Sequence, residues 1–345
     1  MMVDDNEAVA AAFDRIAYLL ERRQEPTYRV RAFRTAARSV RAAGPEVVAR
    51  LAASRRLTDL AGIGPSTAKV AGEVLGGTSP AYLERLEAEA QPEGPADVAA
   101  AALVEALRGD LHAHSDWSDG GSPIAVMADA AAGLDHEYLA MTDHSPRLTV
   151  AHGLDAARLE RQLDVIAAIN ADRSGLRVLT GIEVDILEDG SLDQNDDLLE
   201  RLDVVVASVH SKLRMDSPAM TERMVAAVSN PRVDILGHCT GRIVVGKGRP
   251  PSAFDAGAVF EACGAAGTAV EINSRPERLD PPEELLALAL DAGCRFSIDT
   301  DAHAPGQLEW QHHGAAKAVA AGVPADRIVN TWSLEDLRRW LDRKG

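Results

Sequence analysis

The stretch DLHAHSDWSDG, residues 110–120, contains two histidines and three aspartates within eleven residues. Its first histidine follows a leucine at what resembles the end of a β-strand. Alternate residues of a strand point to the same face, so His112 and His114 should project together. Two imidazoles pointing the same way either form part of a metal site or share a face by chance. The positions of the other histidines and carboxylates distinguish these alternatives.

Length and composition indicate a globular protein. The 345 residues suffice for one large domain and a small one, and the hydrophobic content of 46% allows a full core. No apolar run approaches the roughly eighteen residues of a membrane span, and the acidic start MMVDDNEAV lacks the pattern of a signal peptide. Three cysteines without paired spacing indicate reduced thiols. We therefore expect a soluble cytoplasmic protein without a membrane partner.

The net charge of −17 is distributed unevenly along the chain. Residues 1–95 contain 13 basic and 13 acidic residues, whereas the remainder contains 23 basic and 40 acidic residues. An acidic body repels nucleic acid unless metal ions offset its charge where the substrate lies. The asymmetry predicts two parts with different roles.

The first part is helical in pattern, and its segment RVRAFRTAARSVR, residues 29–41, carries a stripe of arginines. The spacing i, i+3, i+7, i+10 places them on one face of a helix. They are Arg31, Arg34, Arg38 and Arg41. Such a stripe either is an ordinary solvated face or binds an anion.

A glycine pair downstream favours anion binding. Gly62 and Gly64 flank Ile63 just before a second helical pattern, where a tight turn presents the amides of a helix N-terminus. A tight joint between helices would also explain the pair. The segment resembles the helix-hairpin-helix motif, and with the arginine stripe it predicts sequence-independent binding to the DNA backbone.

Domain boundaries follow from a change of pattern. QPEGP, residues 91–95, is typical of a linker, and short apolar runs alternate with amphipathic helices from Gly109 onward. We assign residues 1–94 to an all-helical DNA-binding domain, 95–108 to a linker and 109–345 to a catalytic domain.

The second part alternates strands and helices at the spacing of a parallel barrel. Strands are expected near residues 109–112, 137–142, 177–183, 203–209, 233–237, 268–273 and 295–299. Helices are expected at 122–132, 155–171, 216–229, 254–266 and 282–292. Seven such units in roughly 235 residues favour a (β/α)7 barrel over an open sheet.

Candidate metal ligands or their neighbours follow six of the seven strands. In chain order they are His112 and His114, Asp143 and His144, Glu183, His210, His238, and Asp301 and His303. The carboxyl ends of barrel strands share one face, so these side chains should converge there. The other four histidines fall in loops or helices and are expected to be exposed or to cap helices: His136, His152, His312 and His313. His152 lies in a loop that could reach over the site. The pattern predicts a metal centre.

These motifs resemble the PHP family of metal-dependent phosphoesterases from residue 109 to about residue 343. The resemblance is carried by DLHAHSDWSDG, AMTDHS, GIEVD, ASVHS, ILGHCTGR and IDTDAH. GHCTGRIV, EINSRPERLD and TDAHAPGQL are similar to the PHP domain that ends bacterial family X DNA polymerases, and the N-terminal helices resemble the lyase-like domain that begins them. The resemblance implies a distorted TIM-like (β/α)7 barrel behind a small all-α helix-hairpin-helix domain.

The chain departs from those polymerases between its two similar parts. It has no Gly-Gly-Ser motif and no pair of palm aspartates, since its DxD at 299–301 belongs to the predicted metal centre. Polymerase activity is therefore not expected. Lys69, the only lysine of the first part, stands one position before the family's Schiff-base lysine, where this chain has Val70, which speaks against lyase activity. Cys239 replaces the usual proline after His238.

The family resemblance implies three divalent ions. The first would be held by His112, His114, Glu183 and Asp301, the second by Glu183, His210 and His238, and the third by Asp119, His144 and His303. Mixed imidazole and carboxylate ligation suits Zn²⁺, Mn²⁺ or Fe²⁺ better than Ca²⁺ or Mg²⁺.

The predicted catalytic residues are Glu183, Asp301 and Arg242. Two ions sharing a hydroxide would attack phosphorus, the third would neutralise the leaving group, and Arg242 would clamp the phosphate. Lys212 or Arg214 could serve as a further clamp or be ordinary surface charge. Asp143 is expected to orient a neighbouring ligand rather than bind metal.

The predicted function is hydrolysis of phosphate esters at DNA ends, as a 3′-5′ exonuclease or 3′-phosphatase in DNA repair. One alternative is a small-molecule phosphatase of the histidinol-phosphatase type, and another is a DNA-binding module with a relic barrel. Ligands at each expected position argue against the relic, and the basic first part favours DNA over a small ester. The sequence leaves the physiological metal and the oligomeric state open.

Overall fold

The computed structural model describes residues 2–90 and 97–342 and divides the chain into two units, Met1–Glu93 and Gly94–Gly345. Among the described residues, no helix combines the length and the apolar character that crossing a membrane requires. Each unit has its own hydrophobic core.

The first unit is all helical, as the sequence predicts. Its elements are α1 (Met2–Arg22), α2 (Thr27–Ala43), α3 (Pro45–Ala53), a 3₁₀ turn (Leu57–Asp59), α4 (Pro65–Leu75) and α5 (Ala81–Glu89). The apolar face of α2 packs inward, and its Phe33 lies 6.0 Å from Phe13 of α1 and 5.7 Å from Tyr82 of α5, between ring centroids. These aromatic contacts join three helices in one core.

Both predicted hairpin glycines lie in the turn before α4. Gly62 has φ +85°, and a Cβ there would lie 2.6 Å from Ser39 Oγ of α2, so the turn requires glycine twice over. Gly64 precedes α4, and its N–H donates to Thr67 Oγ1 at 2.9 Å. The turn thus fixes the start of α4 against α2.

The second unit is a sheet of seven parallel strands in sequence order, which confirms the predicted barrel fold. The strands are β1 (Gly109–Ala113), β2 (Tyr138–Met141), β3 (Arg177–Asp185), β4 (Val204–Ser208), β5 (Ile235–Leu236), β6 (Ala269–Asn273) and β7 (Phe296–Asp299). The helices are α6 (Val98–Ala106), α7 (Ile124–Ala132), α8 (Ala156–Asp172), α9 (Asp196–Leu199), α10 (Ser217–Val228), α11 (Ala256–Ala266), α12 (Glu283–Asp291), α13 (Gln311–Ala320) and α14 (Leu334–Leu341). Short 3₁₀ turns lie at Thr149–Ala151, Pro305–Trp310, Ala325–Arg327 and Val329–Thr331.

The ends of the sheet meet at the carboxyl side of β1 and β7. Ala113 forms a parallel bridge with Ala302, and His114 N–H donates to the Ala302 carbonyl at 2.7 Å. Leu111 N–H donates to Asp299 Oδ1 at 2.8 Å. This closure brings the histidines of β1 beside the segment that follows β7.

Helix α6 lies within the range 95–108 that the sequence assigns to a linker. The Asp97 carboxylate caps it by accepting from Ala99 N–H at 2.7 Å, and Leu103 and Leu107 are buried in the barrel core. These residues are therefore part of the second unit rather than a spacer.

Candidate metal centre

Glu183, near the end of β3, lies at the centre of a histidine cluster. Its Oε1 is 2.8 Å from His238 Nε2 and 3.2 Å from His210 Nε2. Its Oε2 is 2.8 Å from His144 Nδ1 and 3.5 Å from His112 Nε2. The strands place these groups together because each side chain lies near or just after the carboxyl end of its strand.

The ligand atoms form three groups whose members all lie within 4.8 Å of one another. The groups are His112, His114 and Asp301; His144, Glu183 and His210; and His114, Asp119, His144 and His303. They contain eight of the nine predicted ligands, and the ninth, His238, contacts Glu183 directly. The grouping differs in detail from the predicted sets, because His144 joins two groups and His114 joins two.

Several buried polar atoms at the centre have no hydrogen-bond partner among the described residues. His112 Nε2, His114 Nε2 and Glu183 Oε2 are such atoms, although both histidines are fully buried and Glu183 is 1% exposed. An unsatisfied buried group costs about 1–3 kcal/mol. Divalent cations would satisfy these atoms, and imidazole nitrogens with carboxylate oxygens are suitable donors. The residues present therefore fit a multinuclear metal site.

The imidazoles differ in protonation. Burial, together with the charges of His303 and His144, lowers the pKa of His114 to about 3. Burial and the nearby Arg278 lower the pKa of His238 to about 4. Both rings are therefore neutral at neutral pH, with nitrogen lone pairs open to a cation.

His210 and Glu183 show the opposite balance. Burial alone would lower the pKa of His210, but the charges of Glu183 and Asp185 outweigh it and raise that pKa to about 9. Burial would raise the pKa of Glu183, but the charges of surrounding imidazoles hold it well below its usual range. Without a metal, protonated His210 thus balances part of the Glu183 charge.

Two carboxylates that the sequence analysis did not identify hold ligand histidines from behind. Glu271 of β6 accepts from His112 Nδ1 at 2.6 Å and from the backbone N–H of His238 at 2.5 Å. Asp185 hydrogen-bonds to His210 Nδ1. The two bonds to Nδ1 direct Nε2 of His112 and of His210 toward the centre. The available signals were a lone charge in the buried strand AVEIN and an acid two residues after Glu183 on the same strand face.

Asp143 supports the loop that leads from β1 to Asp119. It accepts from Ser115 N–H at 2.8 Å, from the Ser115 hydroxyl at 2.6 Å and from Gln162 at 2.6 Å. It therefore acts on the loop that carries a candidate ligand, in line with its expected indirect role.

A cavity of about 340 Å³ opens at the centre. Its lining comprises Asp119, His144, Leu148, Glu183, His210, Ile243, Arg275, Glu277, Arg278, Asp301 and His303. Arg278 Nε donates to Asp301 Oδ2 at 3.1 Å, and Arg275 lies 3.0 Å from His303 Nδ1. These two arginines are the cations of the lining.

Arg242, the predicted phosphate clamp, is placed elsewhere. Its guanidinium donates to the carbonyl of Arg278 at 3.0 Å and to that of Leu279, which leaves it holding backbone outside the cavity lining. Lys212 and Arg214 line a separate cleft. The clamp positions nearest the metal centre are therefore Arg275 and Arg278, which follow β6 in a segment that sequence pattern alone did not place.

The remaining histidines lie outside the cavity lining. His152 is exposed, as expected for a loop residue. His136 departs from its expected exposure, since it is only 8% exposed just before β2. Burial lowers its pKa to about 4.

The predicted arginine stripe of α2 is divided in two. Arg34 is 10% exposed and pairs with Asp14 at 3.0 Å and with the buried Glu21 at 2.7 Å. Arg41 pairs with Glu7 at 2.6 Å and with Asp14 at 2.7 Å. These three acids recur every seven residues of α1, a spacing that places them on one face toward α2.

Arg31 and Arg38 remain exposed on α2. Within the described ranges neither has an acidic partner, and Arg38 donates only to Thr35 Oγ1 at 3.4 Å. Two of the four predicted arginines are thus available to an external anion, and two are engaged within the fold.

Comparison with known proteins gives matches for both units. Residues 110–275 match the model of the PHP domain, and residues 4–77 match that of a helix-hairpin-helix domain. A DNA polymerase/3′-5′ exonuclease PolX of Bacillus subtilis is 39% identical over 237 residues, which cover 69% of this chain but 41% of that protein's length. A probable phosphatase of Syntrophotalea carbinolica is 30% identical over 235 residues, which cover 64% of this chain and 90% of that protein.

One solved structure is similar in part. A histidinol phosphate phosphatase of Lactococcus lactis, complexed with zinc, L-histidinol and phosphate, superposes with a TM-score of 0.45 at 17% identity. The match covers 62% of this chain and 94% of that one.

Proposed function

The chain belongs to the PHP family of phosphoester hydrolases, and from this premise we propose that it hydrolyses phosphate esters at DNA ends. It would act as a 3′-5′ exonuclease or 3′-phosphatase in DNA repair, without polymerase activity. The observation that carries the proposal is the cluster around Glu183, whose buried donor atoms lack partners, in one chain with a helix-hairpin-helix unit. The similarity to the B. subtilis protein, named for its exonuclease, supports DNA as the substrate.

The cluster would hold the ions through nine side chains. They are His112, His114, Asp119, His144, Glu183, His210, His238, Asp301 and His303. When bound, divalent ions supply Lewis acidity and activate water for attack on phosphorus. The imidazole-rich donor set favours Mn²⁺, Zn²⁺ or Fe²⁺.

The other residues of the centre would position the ligands and the substrate. Glu271 and Asp185 fix the orientations of the His112 and His210 rings through Nδ1, so that Nε2 of each faces Glu183. Arg275 and Arg278 offer guanidinium groups to the phosphate oxygens and thereby replace Arg242 in the clamp role. Glu183 and Asp301, which both line the cavity, would be the catalytic carboxylates.

A small phosphate ester is the second candidate substrate. The S. carbinolica relative is matched over 90% of its length, and its name is that of a probable phosphatase. A barrel that acts alone has no use for a DNA-binding unit. This alternative, of the histidinol-phosphatase type, therefore predicts activity that is independent of residues 1–94.

One parallel assay tests these proposals. The full chain with Mn²⁺ is given end-labelled DNA, histidinol phosphate, or a primed template with nucleotides. We expect shortening or dephosphorylation of the DNA 3′ end at a higher kcat/KM than release of phosphate from histidinol phosphate. The reverse preference would favour the small-molecule phosphatase, and template-dependent primer extension would contradict the absence of polymerase activity.

A further inference from the structure

A second cleft, of about 510 Å³, adjoins the metal centre at the same end of the barrel. The loops after β4 and β5 form it, and its lining comprises Lys212, Leu213, Arg214, Met215, Arg249, Pro250, Pro251 and Ala253. Among the residues that the structure describes, three cations and no acid line this cleft, although residues 96–345 contain 40 acidic and only 23 basic residues. The cleft is thus a basic region on an acidic unit.

The loop after β5 is basic along its length. Residues 240–254, TGRIVVGKGRPPSAF, contain three basic residues and no acid. Val244 and Val245 of this loop are 51% and 47% exposed, and Pro250 and Pro251, later in the same loop, line the cleft. A positively charged groove follows the backbone of single-stranded nucleic acid. Exposed apolar side chains near such a groove offer contacts to the base faces.

Two connections join the cleft to the metal cavity. His210 lines the cavity, and Lys212, two residues later, lines the cleft, so their backbones are at most about 7 Å apart. Ile243 lines the cavity and exchanges two backbone hydrogen bonds, of 2.9 and 2.8 Å, with Arg249 of the cleft. A single strand of DNA whose end lies in the cavity could therefore continue directly into the cleft.

The cations of the cleft are available to a ligand. The Lys212 side chain is 63% exposed. Its ion pair with Glu188 is long, at 4.0 Å, and lies at the surface, so it contributes little free energy. Arg214 is exposed and has no partner within the described residues. Arg249 donates Nε to the Gly241 carbonyl at 2.6 Å, which orients it at the cleft wall.

We propose that this cleft binds the backbone of single-stranded DNA next to the ester that is hydrolysed in the metal cavity. Lys212 and Arg214 contact phosphates, and the prolines and valines contact the bases. The inference rests on the proposed function and adds the site that would distinguish a DNA strand from a small phosphate ester.

The test compares two double variants of the full chain. Lys212→Ala with Arg214→Ala removes two cations of the cleft. The matched control, Arg177→Ala with Arg295→Ala, removes two exposed arginines at the amino ends of β3 and β7, on the opposite side of the barrel. Substrates are p-nitrophenyl phosphate and a single-stranded oligonucleotide of about twelve nucleotides, within the site sizes of single-strand binding proteins. Hydrolysis with Mn²⁺ and binding by fluorescence anisotropy are measured over a range of salt concentrations.

We expect the cleft variant to bind the oligonucleotide roughly tenfold more weakly and to hydrolyse it with a KM that is roughly tenfold higher. The slope of log affinity against log salt concentration should decrease in magnitude by about 1.4, at roughly 0.7 for each of two lost phosphate contacts. Its kcat/KM for p-nitrophenyl phosphate should stay within about twofold of wild type, because neither residue lines the metal cavity. The control variant should match wild type with both substrates.

If the two double variants bind the oligonucleotide with equal affinity and equal salt dependence, the cleft does not bind DNA, whatever the hydrolytic activity. Failure of the wild type to hydrolyse either substrate would instead overturn the proposed function, while anisotropy would still decide the cleft. A loss of p-nitrophenyl phosphate hydrolysis equal to the loss of oligonucleotide hydrolysis would assign Lys212 and Arg214 to the metal centre and so overturn the separate site.

Discussion

The two units bury charge in opposite ways. In the first unit, buried Arg34 is matched by Asp14 and Glu21, so the charges are satisfied within the chain. In the second unit, buried His112 and Glu183 converge, and His112 Nε2 and Glu183 Oε2 lack hydrogen-bond partners among the described residues. A closed ion pair indicates a structural role, whereas convergent unsatisfied donors indicate an external cation. The comparison separates residues that hold the fold from residues that perform chemistry.

The largest expected effect is the loss of hydrolysis in Glu183→Gln. The substitution keeps the side-chain shape but removes the charge that five histidines approach, so ion binding and activity should fall together. We expect kcat/KM for p-nitrophenyl phosphate to fall more than about 100-fold, beyond the range for residues that only support ligands. Glu277→Gln, which changes an acid of the same cavity that pairs with Arg275 at 3.4 Å, is the control and should lose less than about tenfold. A Glu183→Gln enzyme with a tenth of wild-type activity would contradict the central role.

Metal content gives the next largest effect. After reconstitution with Mn²⁺ or Zn²⁺, we expect about three ions per chain by elemental analysis, since three groups of ligands converge. Removal of the ions by a chelator should abolish hydrolysis and lower the thermal unfolding temperature of the second unit, because bound ions stabilise only the folded state. Less than one tightly bound ion per chain would refute the site.

Metal uptake should also depend on pH in a defined direction. The pKa of His210 is raised to about 9 without metal, so this ring carries a proton at neutral pH that an ion must displace. Apparent affinity should therefore rise as pH increases toward about 9, with proton release that calorimetry in two buffers can measure. Asp185→Asn removes one charge that raises this pKa and should reduce the proton release at pH 8.

Arg34→Ala tests the closed pair of the first unit. It removes the guanidinium that donates to Glu21 at 2.8 and 2.7 Å, where the Glu21 side chain is 3% exposed, and should cost about 3 kcal/mol of unfolding free energy, whereas exposed Arg38→Ala should cost less than about 0.5 kcal/mol. All four tryptophans lie in the second unit, so their fluorescence reports the barrel and circular dichroism reports both units. In the unfolding of Arg34→Ala we expect part of the helical circular dichroism signal to be lost before tryptophan fluorescence changes. Equal stability of the two variants would remove the distinction between paired and free arginines.

The barrel could be predicted from sequence because its signals are local. Each strand is a short apolar run, and the observed strands lie within two residues of the expected bounds at nearly every end. The chain has 10 histidines in 345 residues, so their recurrence at the ends of several predicted strands indicated a metal centre. The convergence needed only the general rule that barrel strands share one carboxyl face.

The parts that sequence did not reveal depend on which elements pack together. Arg34 becomes structural only because α1 presents Asp14 and Glu21 to α2. Glu271 of β6 hydrogen-bonds to the ring of His112 in β1 and to the backbone N–H of His238. Arg278 rather than Arg242 lines the cavity, because the Arg242 guanidinium donates to backbone carbonyls of the loop. Spacing along one helix or strand cannot specify such partners across elements.

His136 provides a sharper contrast within the barrel, since it is buried without joining the metal centre. Burial lowers its pKa to about 4, below the ordinary 6.5, so the unfolded chain binds the proton more tightly. Stability from this group is complete above pH 6.5 and falls as pH decreases toward 4. Between pH 7.5 and 5 the loss should be about 2 kcal/mol.

The measurement is the free energy of unfolding, followed by tryptophan fluorescence, for wild type and His136→Gln. The variant should lack this part of the pH dependence, while His152→Gln, at an exposed histidine, should retain it. Identical pH profiles for all three proteins would show that His136 is protonated without cost in the folded state.

The smallest expected effect concerns DNA binding by the first unit. If only Arg31 and Arg38 contact phosphates, replacing both by alanine should remove about 1.8 from the log–log salt slope with duplex DNA, at 0.9 per contact. Four equivalent arginines would have implied about 3.6. Arg34 cannot be tested in the same way, because its loss is expected to destabilise the fold of the unit.

The informative control is Arg15→Ala with Arg23→Ala, which removes two arginines that pair with Glu87 at 3.3 Å and with Glu89 at 2.5 Å. Anisotropy titrations over salt should show the slope change in the first variant only. If both variants bind like wild type, the first unit does not provide the DNA contact, and the activity should then be sought on small phosphate esters.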